Sequence, residues 1–183
     1  LTSGGISPDQ LLFVNLTPQT LDIDATREIW VQEAARVANR APDQIVIEVT
    51  ERFGGRSVRV IQRLQTLKNQ GFGIAIDDVG TGNSVLEMLG KINAEFIKIH
   101  RSIVADAPVD PSARALITAM ALFAERTGTF VIAEGIEDAE MLQYVQSLAE
   151  PEMGVPTVVN GGQGFGLGRP SVEVDPDPVW PLD

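Results

Sequence analysis

The chain has 183 residues, no cysteine and a formal net charge of −11, and 44% of its residues are hydrophobic. This length predicts one domain with enough apolar residues for a sizeable core. The lack of cysteine excludes disulfides and thiolate metal sites, and it fits a cytoplasmic protein. The acidic balance disfavours binding to long nucleic acid, and no apolar run is long enough to cross a bilayer, so we expect no membrane contact from this segment.

Strand-like and helix-like segments alternate along the chain. Short apolar runs predict strands at 11–17, 44–51, 73–79, 95–100 and 129–136. Helical spacing predicts helices at 24–39, 57–71, 84–92, 111–128 and 139–148, with Asp24 as one N-cap and Gly71 just beyond one helix end. Residues 156–160 and 163–168 read as two further short strands, and the acidic, proline-rich tail at 172–183 reads as irregular.

This alternation predicts an α/β fold, with a parallel sheet covered by helices. Two architectures compete: a doubly wound open sheet and a (β/α)8 barrel. No G-x-G-x-x-G loop follows the first strand, which argues against a dinucleotide-binding domain. Up to seven strands are predicted, one short of a barrel, and the chain is shorter than the roughly 200–250 residues that barrels usually need.

The predicted strands carry polar groups at or near their C-terminal ends, the end at which α/β proteins bind ligands. These groups are Asn15, Glu48, the adjacent Asp77 and Asp78, Lys98 with His100, and Glu134. Each has an ordinary structural explanation when it is considered alone. Asn15 and the two aspartates suit a turn, Lys98 is a possible salt-bridge partner of Glu48, and Gln163 suits a loop.

Taken together, these side chains favour a metal site. Carboxylate and amide oxygens are the ligands that Mg²⁺ and Mn²⁺ prefer. Two neighbouring aspartates with carboxylates on either side suit two ions roughly 3.5–4 Å apart, which can bind a phosphodiester and activate a water for in-line attack. The sequence therefore predicts that Asp77 and Asp78 are shared ligands of a two-metal site.

Six motifs together resemble the EAL family of cyclic-di-GMP phosphodiesterases, from about Leu11 to Pro170. They are FVNLTP, IVIEVTER, IAIDDVGTGNSVLEML, FIKIHRSIV, VIAEGIED and QGFGLGRP. The resemblance implies a (β/α)8 TIM-barrel-like EAL fold over residues 1–171 that linearises cyclic di-GMP to pGpG with Mg²⁺ or Mn²⁺. It also implies a homodimer.

The resemblance assigns roles to individual residues of this chain. The implied metal ligands are Asn15, Glu48, Asp77, Asp78 and Glu134. Lys98 is implied to orient or help activate the attacking water, with Glu134 beside it as a catalytic group, and Gln163 and Arg101 are implied to contact the nucleotide. Glu51 and Glu137 are implied to hold the loop that begins at Asp77, and His100 to lie behind Lys98.

The chain departs from the family pattern at several points. The Glu-Ala-Leu signature is absent, so we expect the first β/α unit to be missing or incomplete and the chain alone to be a weak or inactive phosphodiesterase. His100 stands where an aspartate is usual, and residues 149–162 form an apparent insertion. These departures leave an alternative open, namely a degenerate, non-catalytic EAL-like module that binds cyclic di-GMP or a protein partner.

Overall fold

The computed structural model describes residues 7, 10–23, 26–50, 57–81, 85–148 and 159–171. The chain divides into two units, and one boundary between them falls after Ile76 in the sequence. The first unit comprises Leu1–Ile76, Asn83–Ala94 and Ser171–Asp177, and the second comprises Asp77–Gly82, Glu95–Pro170 and Pro178–Asp183. The predicted domain boundary after residue 171 stays a prediction, and the tail at 172–183 lies outside the described residues.

The first unit alternates strands and helices. Its elements are β1 (Leu12–Asn15), α1 (Pro18–Ile23), α2 (Thr26–Val37), a 3₁₀ turn (Pro42–Gln44), β2 (Ile45–Thr50), α3 (Ser57–Asn69), the first four residues of β3 (Gly73–Val79), and α4 (Val85–Ile92). Strands β1, β2 and β3 are neighbours in that order, and β1 and β2 are parallel. Apolar side chains of β2, α3 and β3 are fully buried, among them Ile47, Leu64 and Ile74.

The second unit continues the same alternation from the end of β3. Its further elements are β4 (Phe96–Ile99), α5 (Arg101–Asp106), α6 (Pro111–Thr127), β5 (Phe130–Glu134), α7 (Ala139–Ser147) and β6 (Gly161–Gln163). The strand order is β3-β4-β5-β6, with β4, β5 and β6 parallel. Ile97, Ile99 and Val131 are fully buried, and Ile117 of α6 is almost fully buried, so the strands are apolar in the middle and polar only at their ends.

Capping residues next to the helices determine where α3 ends and where α6 begins and ends. Gly71 has φ 96°, and Phe72 N–H donates to Leu67 O while Gly71 N–H donates to Lys68 O, which is the Schellman arrangement that a glycine favours. Helix α6 begins after Asp110, which accepts a hydrogen bond from Ser112 N–H, and ends before Gly128 at φ 74°. The proposed cap Asp24 lies outside the described residues.

Several elements differ from the prediction. The short helices α1 and α5 were not predicted, because six residues each give too little periodicity to register. The strand predicted at 163–168 is wrong: β6 ends at Gln163, and Leu167 and Gly168 N–H donate back to Gly164 O in a turn. For the strand predicted at 156–160, residues 159–160 are not in a strand and 156–158 lie outside the described residues.

Parallel pairing brings the polar strand ends of each unit to one edge of its strands. In the first unit Asn15 lies opposite Glu48 in the β1–β2 register. In the second unit Glu134 lies opposite Gln163, and Lys98 lies opposite Ile132. No helix among the described residues is long and apolar enough to span a bilayer.

Candidate functional site

The end of β3 presents two adjacent carboxylates from a constrained turn. Ile76 is fully buried, whereas Asp77 and Asp78 are half-buried. Asp78 has φ 58°, in the left-handed region that aspartate tolerates better than most residues with a side chain. Its carbonyl accepts hydrogen bonds from Thr81 N–H at 3.3 Å and from Thr81 Oγ1 at 2.9 Å. The turn therefore fixes the direction in which both carboxylates leave the strand.

Lys98 is a buried cation among these carboxylates. Its side chain is 4% exposed, and its Nζ lies 2.8 Å from Glu134 Oε1 and 3.3 Å from Asp77 Oδ1. The contact with Glu134 is a charge-assisted hydrogen bond, and it joins the ends of β4 and β5. Asp77 Oδ1 is buried and accepts no hydrogen bond, although the ammonium is within ion-pair distance.

The pKa of Glu134 is shifted by its surroundings. Burial raises its pKa above the ordinary value, because the charged form loses solvation. The hydrogen bond and charge of Lys98 oppose this rise, while the negative charges of Asp77 and Asp78 add to it. Three carboxylates and one ammonium leave the group with excess negative charge, which a bound cation would offset.

The three carboxylates fit a hard divalent cation. Asp77, Asp78 and Glu134 each offer one oxygen, and these oxygens lie within 4.8 Å of one another, the one such acidic group found among the described residues. The buried Asp77 Oδ1 still has the capacity to accept a bond from a ligand. An all-oxygen donor set of this charge suits Mg²⁺ or Mn²⁺.

His100 lies next to this group and faces Asp78. Its Nε2 is 3.9 Å from Asp78 Oδ1. On the other side of the ring, Nδ1 is 2.8 Å from Ser102 Oγ and accepts a hydrogen bond from Ser102 N–H at 3.2 Å, so that His100 caps α5. The imidazole is thus held by the start of α5 with its other nitrogen toward the carboxylates.

A cavity of about 290 Å³ opens over these side chains within the second unit. Its wall contains acidic groups, two basic groups, an amide and an exposed aromatic ring. The lining residues are Asp78, His100, Arg101, Glu134, Gly135, Glu137, Gln163, Gly164 and Phe165. The volume suits part of a drug-sized ligand, and the mixed charge suits an anion bound together with a cation.

Glycines let two loops of the cavity wall approach each other closely. A Cβ on Gly164 would lie 2.0 Å from Ile136 O and 2.3 Å from Ile136 N, both of them backbone atoms. Gly166 N–H donates to Ile136 O at 2.9 Å, and Ile136 N–H donates to Gln163 O at 3.1 Å. The loop that carries Gln163 is therefore fastened directly to the backbone that follows Glu134.

We expect Gly164→Ala to disrupt this wall, because backbone cannot yield to a Cβ at 2.0 Å as a flexible side chain can. The expected cost is about 2 kcal/mol or more in the free energy of unfolding, within the range for overpacking. Gly168→Ala is the matched control in the same loop, since nothing lies within 4 Å of its Cβ. Urea denaturation of both variants checks this, and equal stability would contradict the close approach.

The structure brings most of the predicted site residues of the second unit together. Asp77, Asp78, Lys98 and Glu134 form the charged group, and the cavity wall adds the other four, His100, Arg101, Glu137 and Gln163. In the first unit, Asn15 is exposed and Glu48 is buried, and the two lie opposite each other in the register of β1 and β2.

All of the predicted residue roles stay predictions. Glu51 lies outside the described residues. Glu137 is exposed on the cavity wall, and residues 82–84 of the loop that it was predicted to hold lie outside the described residues. Sequence reasoning missed Phe165, Ser102 and Thr81. The D-x-x-T spacing of a turn was the available signal for Thr81, whereas Phe165 gave none.

Comparison with known proteins decides the family. The EAL domain family matches residues 2–153, most of the chain. The chain belongs to the EAL-domain family. A relative in Escherichia coli K12, the probable cyclic di-GMP phosphodiesterase PdeG, is 36% identical over 102 residues, which is 55% of this chain and 20% of PdeG.

Solved EAL structures share the fold. The c-di-GMP complex of the phosphodiesterase PaMucR has a TM-score of 0.72 at 28% identity and covers 88% of this chain and 62% of its own. The manganese/cy-diGMP complex of Klebsiella pneumoniae BlrP1 at pH 9.0 has a TM-score of 0.76 at 28% identity and covers 87% of this chain and 39% of its own. The α/β fold with parallel strands is therefore that of the TIM-barrel-like EAL proteins.

The chain spans about a fifth of the length of the first curated relatives that it matches, 20%, 23% and 18% of them. Within that segment the EAL motifs supply the carboxylate group, Lys98 and the glycine-rich loop described above.

Proposed function

We propose that this EAL domain binds cyclic di-GMP together with Mg²⁺ or Mn²⁺ and hydrolyses it to pGpG. The observation that carries the proposal is the group formed by Asp77, Asp78 and Glu134 around Lys98, with Asp77 Oδ1 buried and accepting no hydrogen bond. Solved relatives with 28% identity hold manganese and the nucleotide in this fold, which supports the assignment.

The carboxylates are proposed to hold the cation. Asp77, Asp78 and Glu134 are proposed as its ligands in the second unit. The ligand roles of Asn15 and Glu48 stay predictions that rest on the resemblance to the family. When bound, divalent cations of this kind neutralise charge at the phosphate and lower the pKa of a coordinated water. A net charge of −11 makes such neutralisation necessary for a ligand with two phosphodiester charges.

The remaining site residues are proposed to position the ligand and the water. A water oxygen attacks phosphorus and gives up one proton, the bond from phosphorus to the ribose 3′ oxygen breaks, and the 3′ oxygen takes a proton from solvent water as pGpG forms. Glu134 is proposed to accept the proton of the water, since its raised pKa favours the protonated form, and the Lys98 ammonium is proposed to orient the water. Gln163 and Arg101 are proposed to contact the nucleotide from the cavity wall.

One observation supports a second candidate, a module that binds cyclic di-GMP without hydrolysing it. His100 stands at the position where the family usually has an aspartate, and it faces Asp78. A changed group next to a ligand carboxylate is compatible with retained binding and lost turnover. Both candidates predict that cyclic di-GMP binds in a cation-dependent way, but only the first predicts that pGpG forms.

We expect the chain to form pGpG from cyclic di-GMP in Mg²⁺ or Mn²⁺ and to stop when the cation is chelated. Chromatography of the products with and without chelator measures this. The control is Glu125→Gln, which removes one charge from an exposed residue of α6 and should leave the rate of pGpG formation unchanged. If cyclic di-GMP binds in a cation-dependent way but no pGpG forms, the result supports the non-catalytic module. If chelator leaves the binding of cyclic di-GMP unchanged, the result contradicts both candidates.

Homodimerisation through the loop that begins at Asp77 and a cytoplasmic location belong to the same proposal. The homodimer rests on the resemblance to the family, and the cytoplasmic location rests on the lack of cysteine. Light scattering on the purified chain, with and without cyclic di-GMP and Mn²⁺, reports the oligomeric state directly.

A further inference from the structure

His100 has a fixed tautomer because of its position at the start of α5. A backbone N–H can only donate, so the Nδ1 atom that receives the Ser102 N–H carries no proton. A neutral imidazole then carries its proton on Nε2. The nitrogen that faces the cavity is therefore a donor, whereas an aspartate at this position could only accept when ionised.

The donor at Nε2 has no partner among the described residues. The nearest charged atom is Asp78 Oδ1 at 3.9 Å, which is too long for a hydrogen bond. Arg101, the next residue, also lines the cavity, and its guanidinium forms no hydrogen bond or ion pair with the residues that the structure describes. Two consecutive donors thus line the cavity beside the carboxylates of Asp78 and Glu134.

We propose that the His100 Nε2–H binds a non-bridging oxygen of the ligand phosphate. The inference rests on the proposed function and adds to it a recognition group that this chain has in place of the usual carboxylate. Without a cation, the nearby Asp78 repels a phosphodiester, so a donor on the same wall lowers the cost of bringing the anion in. Hydrogen bonds to charged oxygens are among the stronger ones in proteins.

The substitutions His100→Asn and His100→Gln distinguish the role of Nδ1 in capping α5 from the proposed role of Nε2 in phosphate binding. In His100→Asn the side-chain oxygen can still accept from Ser102 N–H, because asparagine is a good helix cap, but the amide is too short to reach the Nε2 position. In His100→Gln the longer amide can place an N–H near that position, while the cap is weakened. A role in capping alone predicts a larger defect for glutamine, and a role in phosphate binding predicts a larger defect for asparagine.

Binding of cyclic di-GMP is measured with Ca²⁺ as the divalent cation, as in the calcium/cy-diGMP complex of BlrP1. We expect His100→Asn to weaken binding about 10- to 100-fold, the usual effect of losing a hydrogen bond to a charged group, and His100→Gln to remain within about threefold of the original chain. In turnover assays the loss should fall mainly on KM. Equal affinity of the asparagine variant and the original chain overturns the inference, and so does a defect confined to glutamine.

A spectroscopic measurement separates failure of this inference from failure of the proposed function. His100 is the sole histidine, so long-range ¹H–¹⁵N spectra report its two nitrogens without ambiguity. We expect the Nε2–H tautomer in the free protein and a shift of the Nε2 resonance when cyclic di-GMP is added. A dominant Nδ1–H tautomer overturns the inference even if the nucleotide binds and is hydrolysed. If the tautomer is as expected but cyclic di-GMP does not bind to the original chain, the proposed function has failed and the inference fails with it.

Discussion

Asp78→Asn is expected to weaken Mg²⁺ or Mn²⁺ binding on the order of 100-fold, equivalent to about 2.7 kcal/mol. The substitution removes one of three negative charges whose oxygens lie within 4.8 Å of one another, where each charge contributes several kcal/mol to the attraction of a divalent ion. Asparagine tolerates the left-handed backbone at φ 58°, so the turn that carries the carboxylates should persist. Calorimetric titration with each cation measures the change.

The controls for Asp78→Asn separate charge from backbone effects. Asp78→Gly relieves the left-handed conformation but also lacks the carboxylate, so it should lose cation affinity as the asparagine variant does. Glu125→Gln changes the net charge equally and lies on the exposed face of α6, so it should bind as the original chain does. Tight binding that persists in both Asp78 variants would show that these carboxylates do not hold the cation.

The charged group at the strand ends could be placed from the sequence because it depends on two short-range regularities. Buried parallel strands read as apolar runs, and the first polar residue after such a run lies at the edge where neighbouring strands also end. Asp77 after Ile76 and Glu134 after Ala133 follow this pattern, and the structure joins them through Lys98. The positions of these side chains follow from strand period and parallel pairing alone.

The parts that the sequence did not predict depend on contacts between segments distant in the chain. The end of β6 at Gln163 is set by Gly164 and Gly166, which lie against the backbone of residues 136–138 and turn the chain away from a strand. No local propensity encodes that approach. Helix α5 was missed because its six residues show too little periodicity and because its cap, His100, is outside the usual set of Ser, Thr, Asp and Asn. The same cap then directs the imidazole toward Asp78, a contact that only the structure shows.

Lys98→Met is expected to destabilise the metal-free protein by about 3–5 kcal/mol, the usual cost of removing one member of a buried ion pair. Methionine fills much of the same volume without the charge. Glu134, at 15% side-chain exposure, and Asp77, at 14%, would then lack the ammonium that lies 2.8 Å and 3.3 Å from them. Urea denaturation in chelator measures the loss, and the double variant Lys98→Met/Glu134→Gln should recover part of it, because only one buried carboxylate is then left uncompensated.

The loss should depend on pH in a defined direction. Burial raises the pKa of Glu134 and Lys98 opposes the rise, so the variant should have a still higher folded-state pKa. A carboxyl group whose folded pKa exceeds its unfolded value, about 4.3 for glutamate, contributes stability below that value and loses it as the pH rises through the folded pKa. The difference between the variant and the original chain should therefore be small near pH 4 and grow toward pH 8.

A divalent cation should partly replace the missing ammonium. Because Lys98 is itself a cation among the ligands, Lys98→Met is not expected to weaken Mn²⁺ binding, and Mn²⁺ should stabilise the variant more than it stabilises the original chain. Turnover should nevertheless fall at least about 100-fold, since positioned proton-transfer groups contribute that much. Thermal unfolding with increasing Mn²⁺ and pGpG formation at saturating Mn²⁺ measure the two effects separately. If Mn²⁺ stabilised both proteins equally and turnover were unchanged, the ammonium would neither share the cation site nor act on the water, and the role proposed for Lys98 would be lost.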